Sequence, residues 1–382
     1  MLRLGYVSTY PPTHCGIAEY TRFLTTGLKS IYPEAEIIII FSDSESSYRV
    51  ESNTKIHPSF EKGAGDYRRI LDELSEVGGV DVIHVQHEYG IFGRNDAILK
   101  ACLEAKDEKL VKAVVFTMHS IYHPLSGDLD ALNFQKKLNS IDAIIVHSYL
   151  MEFEIQHQGV DPLIIRRIPH GTLLNPYLGH PRYKLLKDLG LEDHMLDGLT
   201  LSLFGFLRKD KGLDMLLEAL EETNYERESM NIIIGGELRD RELLEQIEDL
   251  SKKINLAFIE RYLMSDEILK IASIADIILL PYRDKYGVYS VSGILHLSMG
   301  SFKPLIGCRV PRLIELYQFA PRATIPPKKP GELAKKIKWM VENYDYAVAY
   351  MAHLYSYAVR TQWLRMARRH LNLYHELLSS RS

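Results

Sequence analysis

The chain has 382 residues, 46% hydrophobic and 25% charged, which excludes a mainly disordered state and, at roughly 150 residues per domain, implies two domains or three. Lys plus Arg number 46 and Asp plus Glu 50, and the net charge of −4 argues against bulk nucleic acid as the main partner while leaving room for a local basic pocket that holds a phosphorylated small molecule. Cys15, Cys102 and Cys308 are too scattered for a disulfide framework or a zinc site, and with no signal-peptide pattern and no apolar run near the roughly 20 residues of a membrane span, the expectation is a soluble cytoplasmic protein.

In chain order, short apolar runs bounded by Gly, Pro, Asp or Ser predict strands at Leu2–Ser8, Glu36–Phe41, Val80–Gln86, Ala113–Met118, Ala143–His147 and Ile164–Ile168. Helix-period segments separate most of them, among them Ile17–Ser30 and Asp66–Glu76. Such runs read as central strands of a parallel sheet, and right-handed βαβ crossovers wind them into a Rossmann-like layer. Leu173–Asp197, with Pro176, Gly179 and Pro181, is irregular and polar and reads as an interdomain linker. The rhythm then restarts with strands at Leu199–Phe204, Met230–Gly235, Ala257–Glu260, Asp276–Pro281 and Pro304–Gly307. Helices are predicted at about Gly212–Thr223, Arg241–Lys253, Asp266–Ser273 and Gly293–Ser298. The tail, Leu333–Leu378, is helix-period throughout and sets Trp363, Leu364, Ala367, Leu371 and Tyr374 on one face. The expected fold class is α/β, with two Rossmann-like doubly wound parallel-sheet domains facing a central cleft, where open sheets of this kind bind ligands. Residues 1–175 form the first domain, completed by the C-terminal helix at about 356–380, and residues 176–355 form the second.

Candidate chemistry concentrates at predicted strand ends. The first strand runs into Ser8–Tyr20, and Gly16 at a helix start offers backbone N–H groups to an anion, or serves only the turn. No G-x-G-x-x-G follows, which counts against a dinucleotide-dependent dehydrogenase. The matching loop of the second half, Phe204–Asp214, sets Arg208 and Lys211 around Gly212. An arginine fork and a lysine point charge together suit a diphosphate, although a solvated basic loop has the same composition. His84, His87, His119, His147 and His170 gather at strand ends of the first half. His84-x-x-His87 invites a metal reading, but on a strand the two rings point to opposite faces and no Cys or carboxylate set completes a site. A histidine just past the sheet's carboxyl edge is better placed to hydrogen-bond a substrate hydroxyl. Asp128-x-Asp130 reads as a turn or helix cap.

Taken in order, Ser8–Tyr20, Val82–Gly90, Val114–His119, Asp142–His147, Arg167–Gly171, Phe204–Asp214, Ile232–Gly236, Ser265–Pro281 and Ser290–Ile306 resemble the segments of a retaining GT-B glycosyltransferase of glycosyltransferase family 4, in the glycosyl transferases group 1 superfamily. The resemblance covers nearly the whole chain. It implies a hexosyltransferase that moves a sugar from a nucleotide-diphosphate donor to an acceptor hydroxyl, on a carbohydrate or another molecule, with retention of anomeric configuration. Mannose from GDP-mannose is the first donor reading, and glucose from a UDP or ADP donor the next. Arg208 and Lys211 match the family's diphosphate-binding pair, Gly16 the glycine that approaches the donor phosphates, and His119 the histidine that contacts the donor sugar. Arg261, in Glu260-Arg261-Tyr262, falls in the segment that lines the base, and Tyr289, Ser290, Val291, Ser292 and Gly293 form a turn facing the donor.

One departure stands out. The two glutamates that the family commonly carries eight positions apart fall here on Tyr289 and Leu297, neither of which is acidic. The resemblance implies no metal and no cofactor beyond the nucleotide-sugar co-substrate, and no nucleic-acid partner. Peripheral membrane contact is compatible with the chain but nothing indicates it. The missing carboxylates motivate a competing reading, a catalytically silent GT-B subunit that binds a sugar nucleotide or glycan. A sugar-nucleotide epimerase would need cleft carboxylates that the sequence does not offer.

Overall fold

A strand covered on both faces must be apolar at nearly every position, and this is why the short hydrophobic runs become central strands. The computed structural model describes residues 2–33, 37–51, 54–191, 198–222, 230–283 and 285–379. It divides into two units. The first comprises Met1–Gly171, Tyr286–Val291 and Trp363–Ser382, and the second Thr172–Lys285 and Ser292–Gln362. Glu36 of the second predicted strand, Thr223 of a predicted helix and residues 192–197 of the predicted linker lie outside the described residues.

Up to Gly171 the described residues of the first unit form the strands β1 (Arg3–Val7), β2 (Ile37–Asp43), β3 (Arg49–Glu51), β4 (Thr54–Phe60), β5 (Val80–His87), β6 (Val111–Met118), β7 (Ser120–Tyr122), β8 (Ala143–Val146) and β9 (Ile165–Arg167). Eight of them form one sheet in the order β3-β4-β2-β1-β5-β6-β8-β9. All pairs are parallel except β3 with β4. With β2 and β4 added on one side of β1 and β5, β6, β8 and β9 on the other, this is a doubly wound Rossmann-like topology. The hairpin β3–β4 has no clear sequence signal, because β3 is short and polar and β4 contains Pro58. Pro58 is tolerated because β3 pairs only up to Ile56, so at Pro58 the strand has become a sheet edge and needs no donor there.

Val7, Ile39, Phe41, Ile83, Val85, Val114, Phe116, Ile144 and Val146 join the buried residues of the helices Arg68–Glu76, Ala97–Asp107 and Leu129–Lys137 in one apolar core. The alternate positions Tyr6, His84, Gln86 and Thr117 are buried too, but polar. Next to these stand the helices Gly16–Ile31 and Trp363–Ser379, which pack closely at Gly27, where a Cβ would meet the Ala367 Cβ at 3.1 Å.

The second unit builds an all-parallel six-stranded sheet in the order β12-β11-β10-β13-β15-β16. Its strands are β10 (Leu199–Phe204), β11 (Met230–Gly236), β12 (Asn255–Glu260), β13 (Ile277–Leu280), β15 (Leu305–Cys308) and β16 (Thr324–Ile325). Between them in sequence lies β14 (Val288–Ser290), which pairs instead with β7 of the first unit, antiparallel.

Three expectations change. The segment read as a linker contains a helix, Arg182–Asp188, whose Leu185 and Leu186 are buried in the second unit's core, so its apolar spacing outweighed its prolines. The helix-period tail is, among the described residues, four helices: Pro330–Glu342, Tyr344–Tyr350, Ala352–Arg360 and Trp363–Ser379. Only the last belongs to the first unit, so that unit is completed from Trp363 rather than from about 356, and the first break falls at Gly171/Thr172 rather than at 175/176.

Candidate active site

In the second unit the chain leaves β10 through Gly205 (φ +110°), passes Arg208 and a 3-10 turn over Lys209–Lys211, and enters the Leu213–Glu222 helix at Gly212 (φ +70°). Gly212 is required by space as well as by φ, since a Cβ there would lie 1.8 Å from the Pro281 carbonyl. That approach presses the loop after β10 onto the loop after β13 and brings Lys211 to Tyr282. The Lys211 ammonium sits 3.9 Å from the centre of the Tyr282 ring, and the Tyr282 hydroxyl is 3.2 Å from Ser292 Oγ.

Asp210 is the centre of this cluster. Its carboxylate accepts from Arg208 Nε at 2.9 Å and Nη2 at 3.0 Å, and from Arg312 Nη1 at 2.8 Å. Burial opposes its ionisation, but the Arg312 hydrogen bond and the charges of Arg208 and Lys211 outweigh it and hold the carboxyl below its usual range. Burial, reinforced by the charges of Arg312 and Arg208, pushes the Lys211 ammonium well below the ordinary lysine value. Two guanidinium groups therefore bind one carboxylate at the carboxyl edge of the sheet, and the charge of Lys211 acts on all three. An arriving phosphate would relieve the repulsion among the cations. Arg312 was not among the residues expected from sequence, because it follows β15 a hundred residues downstream, with no motif of its own.

The other predicted donor contacts are placed more variously. Arg261, at the end of β12, is bound by Glu267, with Nη1 to Oε2 at 2.8 Å and Nη2 to Oε1 at 2.5 Å. Glu267 also accepts from the Met264 backbone N–H at 3.0 Å, so Arg261 braces the start of the Ser265–Ile274 helix. Beside it Phe206 and Tyr262 face each other at 5.8 Å, and the Arg239 guanidinium lies 5.4 Å from the Phe206 ring. These two partly exposed rings offer a stacking surface at the same sheet edge. The predicted turn 289–293 is split. Tyr289 and Ser290 belong to β14 and, with Val291, to the first unit, whereas Ser292 and Gly293 belong to the second. Ser292 Oγ accepts from the Leu295 N–H at 3.2 Å and so caps the Gly293–Met299 helix.

In the first unit, Gly16 opens the Gly16–Ile31 helix behind Cys15, which supplies no side-chain cap. Its backbone is not in the positive-φ region, and a Cβ on it would meet nothing within 4 Å. Neither the turn nor the packing needs a glycine here, which removes the reading that Gly16 serves only the backbone and leaves room for a ligand at the helix amides.

His119 stands between β6 and β7. Its backbone N–H donates to the His87 carbonyl at 3.0 Å, its Nε2 is 3.0 Å from Gln86 Oε1, and its ring meets Tyr20 edge-on at 4.7 Å. Burial, with the neighbouring His147 and His84, keeps the ring neutral by lowering its pKa well below the ordinary value. His147, His170 and Trp363 surround the same Tyr20 ring at 5.3, 5.1 and 4.9 Å. His84 and His87 point to opposite faces of β5. His84 bonds Thr117 and Tyr374, while His87 stacks on Phe134 at 4.5 Å. Asp128 caps the Leu129–Lys137 helix through Ala131 N–H at 3.1 Å.

Residues 19–174 match the Glycosyltransferase Family 4 family, and residues 198–343 match Glycosyl transferases group 1. No curated protein matches the chain in sequence. Solved structures do. HepE from Anabaena, crystallised with UDP and glucose, is 14% identical with a TM-score of 0.74 over 98% of this chain and 100% of its own. Sucrose-phosphate synthase from Thermosynechococcus elongatus is 15% identical with a TM-score of 0.76 over 100% of both chains. A glycosyltransferase from Rickettsia africae is 16% identical with a TM-score of 0.73 over 98% of this chain and 99% of its own. At such identities the likeness is one of fold, and that fold is GT-B, α/β with parallel sheets in two domains. Among the described residues no helix is long and apolar enough to cross a membrane.

Proposed function

We propose that the chain, a GT-B glycosyltransferase family 4-like protein, transfers a hexose from a nucleotide-diphosphate sugar to an acceptor hydroxyl with retention of anomeric configuration. The observation that carries this reading is the pairing of Arg208 and Arg312 with Asp210, with Lys211 close enough to act on them through charge, where a strand, a positive-φ glycine and a helix start meet. In the transfer the bond from the anomeric carbon to the β-phosphate oxygen breaks, and the electron pair leaves with the nucleoside diphosphate. The acceptor oxygen bonds the anomeric carbon, and its proton passes to the departing phosphate oxygen. Charge grows on that phosphate, and the three cations meet it with side chains already held in place. The first-turn amides of the Gly16 helix would serve a phosphate in the same way.

Mannose from GDP-mannose is the first donor to try and glucose from a UDP or ADP donor the next, and the HepE structure, which holds UDP and glucose, makes UDP-glucose a natural probe. A thermal-shift screen of nucleoside diphosphates and their sugars identifies the base, because a ligand bound only by the folded state stabilises it by about 2.7 kcal/mol at a hundred times its Kd. Arg208→Ala and Lys211→Ala should each lower transfer by about ten- to a hundredfold, the range of a lost charge-assisted contact, with little change in melting temperature. Turnover within a few-fold of the parent protein in both variants would overturn the reading.

The second reading is a sugar-nucleotide-binding subunit without activity. It is favoured by Tyr289 and Leu297 standing where family members commonly have glutamates. It predicts saturable nucleotide binding by calorimetry with neither transfer nor hydrolysis of any donor.

A further inference from the structure

The buried polar face of the first unit's sheet is a continuous hydrogen-bonded chain. Tyr6 of β1 meets the Tyr374 hydroxyl at 2.8 Å, and Tyr374 meets His84 Nδ1 at 2.7 Å. His84 Nε2 is 2.7 Å from Thr117 Oγ1 and 3.4 Å from the Gln86 amide nitrogen, while the Gln86 amide oxygen is 3.0 Å from His119 Nε2. Register explains the alignment, because β1 and β5 pair Tyr6 with His84, and β5 and β6 pair Gln86 with Thr117. Every member is buried. A parallel-sheet face of this kind is ordinarily apolar, so a polar chain through it carries a desolvation cost that hydrophobic side chains would avoid.

The chemistry of the amide orders the chain. An amide nitrogen only donates, so His84 Nε2 accepts from Gln86 and from the Thr117 hydroxyl. Neutral His84 then carries its proton on Nδ1 and donates it to the Tyr374 oxygen. An amide oxygen only accepts, so the proton of His119 sits on Nε2. With its proton on Nε2, the His119 ring offers Nδ1 as an acceptor. Burial holds His84 and His119 neutral, in keeping with single-proton rings.

We infer that Gln86 is a positioning residue which, held by His84 and through it by Tyr374 of the C-terminal helix, locks His119 in the Nε2–H tautomer and so presents Nδ1 as a hydrogen-bond acceptor for a sugar hydroxyl. The sugar is the part of the inference that rests on the proposed function. The tautomer is independent of it. If Gln86 turned its amide over, His84 would need its proton on Nε2 and His119 on Nδ1, and the ring would face a ligand as a donor instead. The two imidazoles are therefore coupled through one amide, and a helix more than 250 residues downstream reaches the ring through that coupling.

Histidine-selective 15N labelling of the full chain reads the tautomer directly. The parent protein should show His119 as Nε2–H. Gln86→Leu should convert it to a tautomer mixture, Gln86→Glu, which keeps an acceptor oxygen, should retain it, and Tyr374→Phe should shift it from a distance. A parent spectrum of Nδ1–H, or a Gln86→Leu spectrum identical to the parent's, overturns the inference. Calorimetry with UDP-glucose and with UDP then separates the two proposals. Gln86→Leu should weaken UDP-glucose by roughly three- to tenfold, the range of a lost hydrogen bond, and leave UDP unchanged. If the tautomers behave as expected but the parent protein binds neither UDP-glucose nor any other sugar nucleotide of the thermal-shift screen, the positioning stands and the donor reading falls.

Discussion

At the scale of single residues, Lys211 and Gly16 make the sharpest statements. Lys211 is dehydrated beside Arg312 and Arg208, so its folded-state pKa lies below that of the unfolded chain. Below the folded value the cost of charging it is fully present in the folded state. Between the two values the unfolded chain binds more protons, so this contribution to stability improves as pH rises. A bound diphosphate reverses the balance by favouring the ammonium. UDP binding should therefore take up protons, visible as a dependence of calorimetric heat on buffer ionisation enthalpy, and its affinity should fall on the alkaline side sooner than for an ordinary lysine. Lys211→Arg should abolish that slope, because a guanidinium stays charged throughout. Gly16→Ala separates folding from function. The added methyl meets nothing within 4 Å and the backbone is helical, so stability should be unchanged or better by up to about 1 kcal/mol, yet diphosphate affinity should drop. Equal UDP affinity in this variant would remove Gly16 from the site.

At the scale of elements, the loop after β10 was legible in the sequence because its signals are local: an apolar strand, glycines, two cations and a helix start. Its precision is not local. Gly212 is fitted against the Pro281 carbonyl, and Gly236, with φ of +150°, would place a Cβ 1.7 Å from the Gly205 carbonyl, so three strand ends interlock. Gly212→Ala should cost about 2 kcal/mol or more by chemical denaturation, since it combines a left-handed backbone with a main-chain clash. Residues 289–293, which the sequence presents as one turn, are divided because β14 finds its partner in β7, through Val288↔Tyr122 and Ser290↔Ser120. A three-residue strand has too little pattern to announce its partner. The histidines at strand ends were legible as a group, but Gln86 was not, because its role depends on which imidazole lies on either side.

At the scale of the whole molecule, the first unit is assembled from three separate stretches of chain, the last being Trp363–Ser382. Its helix buries Trp363, Met366, Ala367, His370, Leu373 and Tyr374. Ending the chain at Gln362 removes these side chains from the first unit, and each large one is worth several kcal/mol on deletion. Hydrogen exchange should then accelerate across β1, β5 and β6 while protection in β10, β11 and β13 persists. Uniform loss of protection in both units would show that they fold as one cooperative body.

By itself the sequence determined the α/β alternation, the doubling of the Rossmann-like rhythm and the cationic loop at Arg208 and Lys211. Buried parallel strands must be apolar along their length, and the turn from β10 into its helix carries its glycines and cations within a few residues, so both are written in consecutive positions. Only the tertiary structure decided what depends on distant partners. It added Arg312 to the cluster, assigned β14 to the first unit, turned a proline-containing linker into a core helix, and divided the long helical tail between the two units. It also set Gln86 between His84 and His119. Those outcomes follow from burial and hydrogen-bond satisfaction among residues dozens to hundreds of positions apart, which periodicity along one chain does not encode.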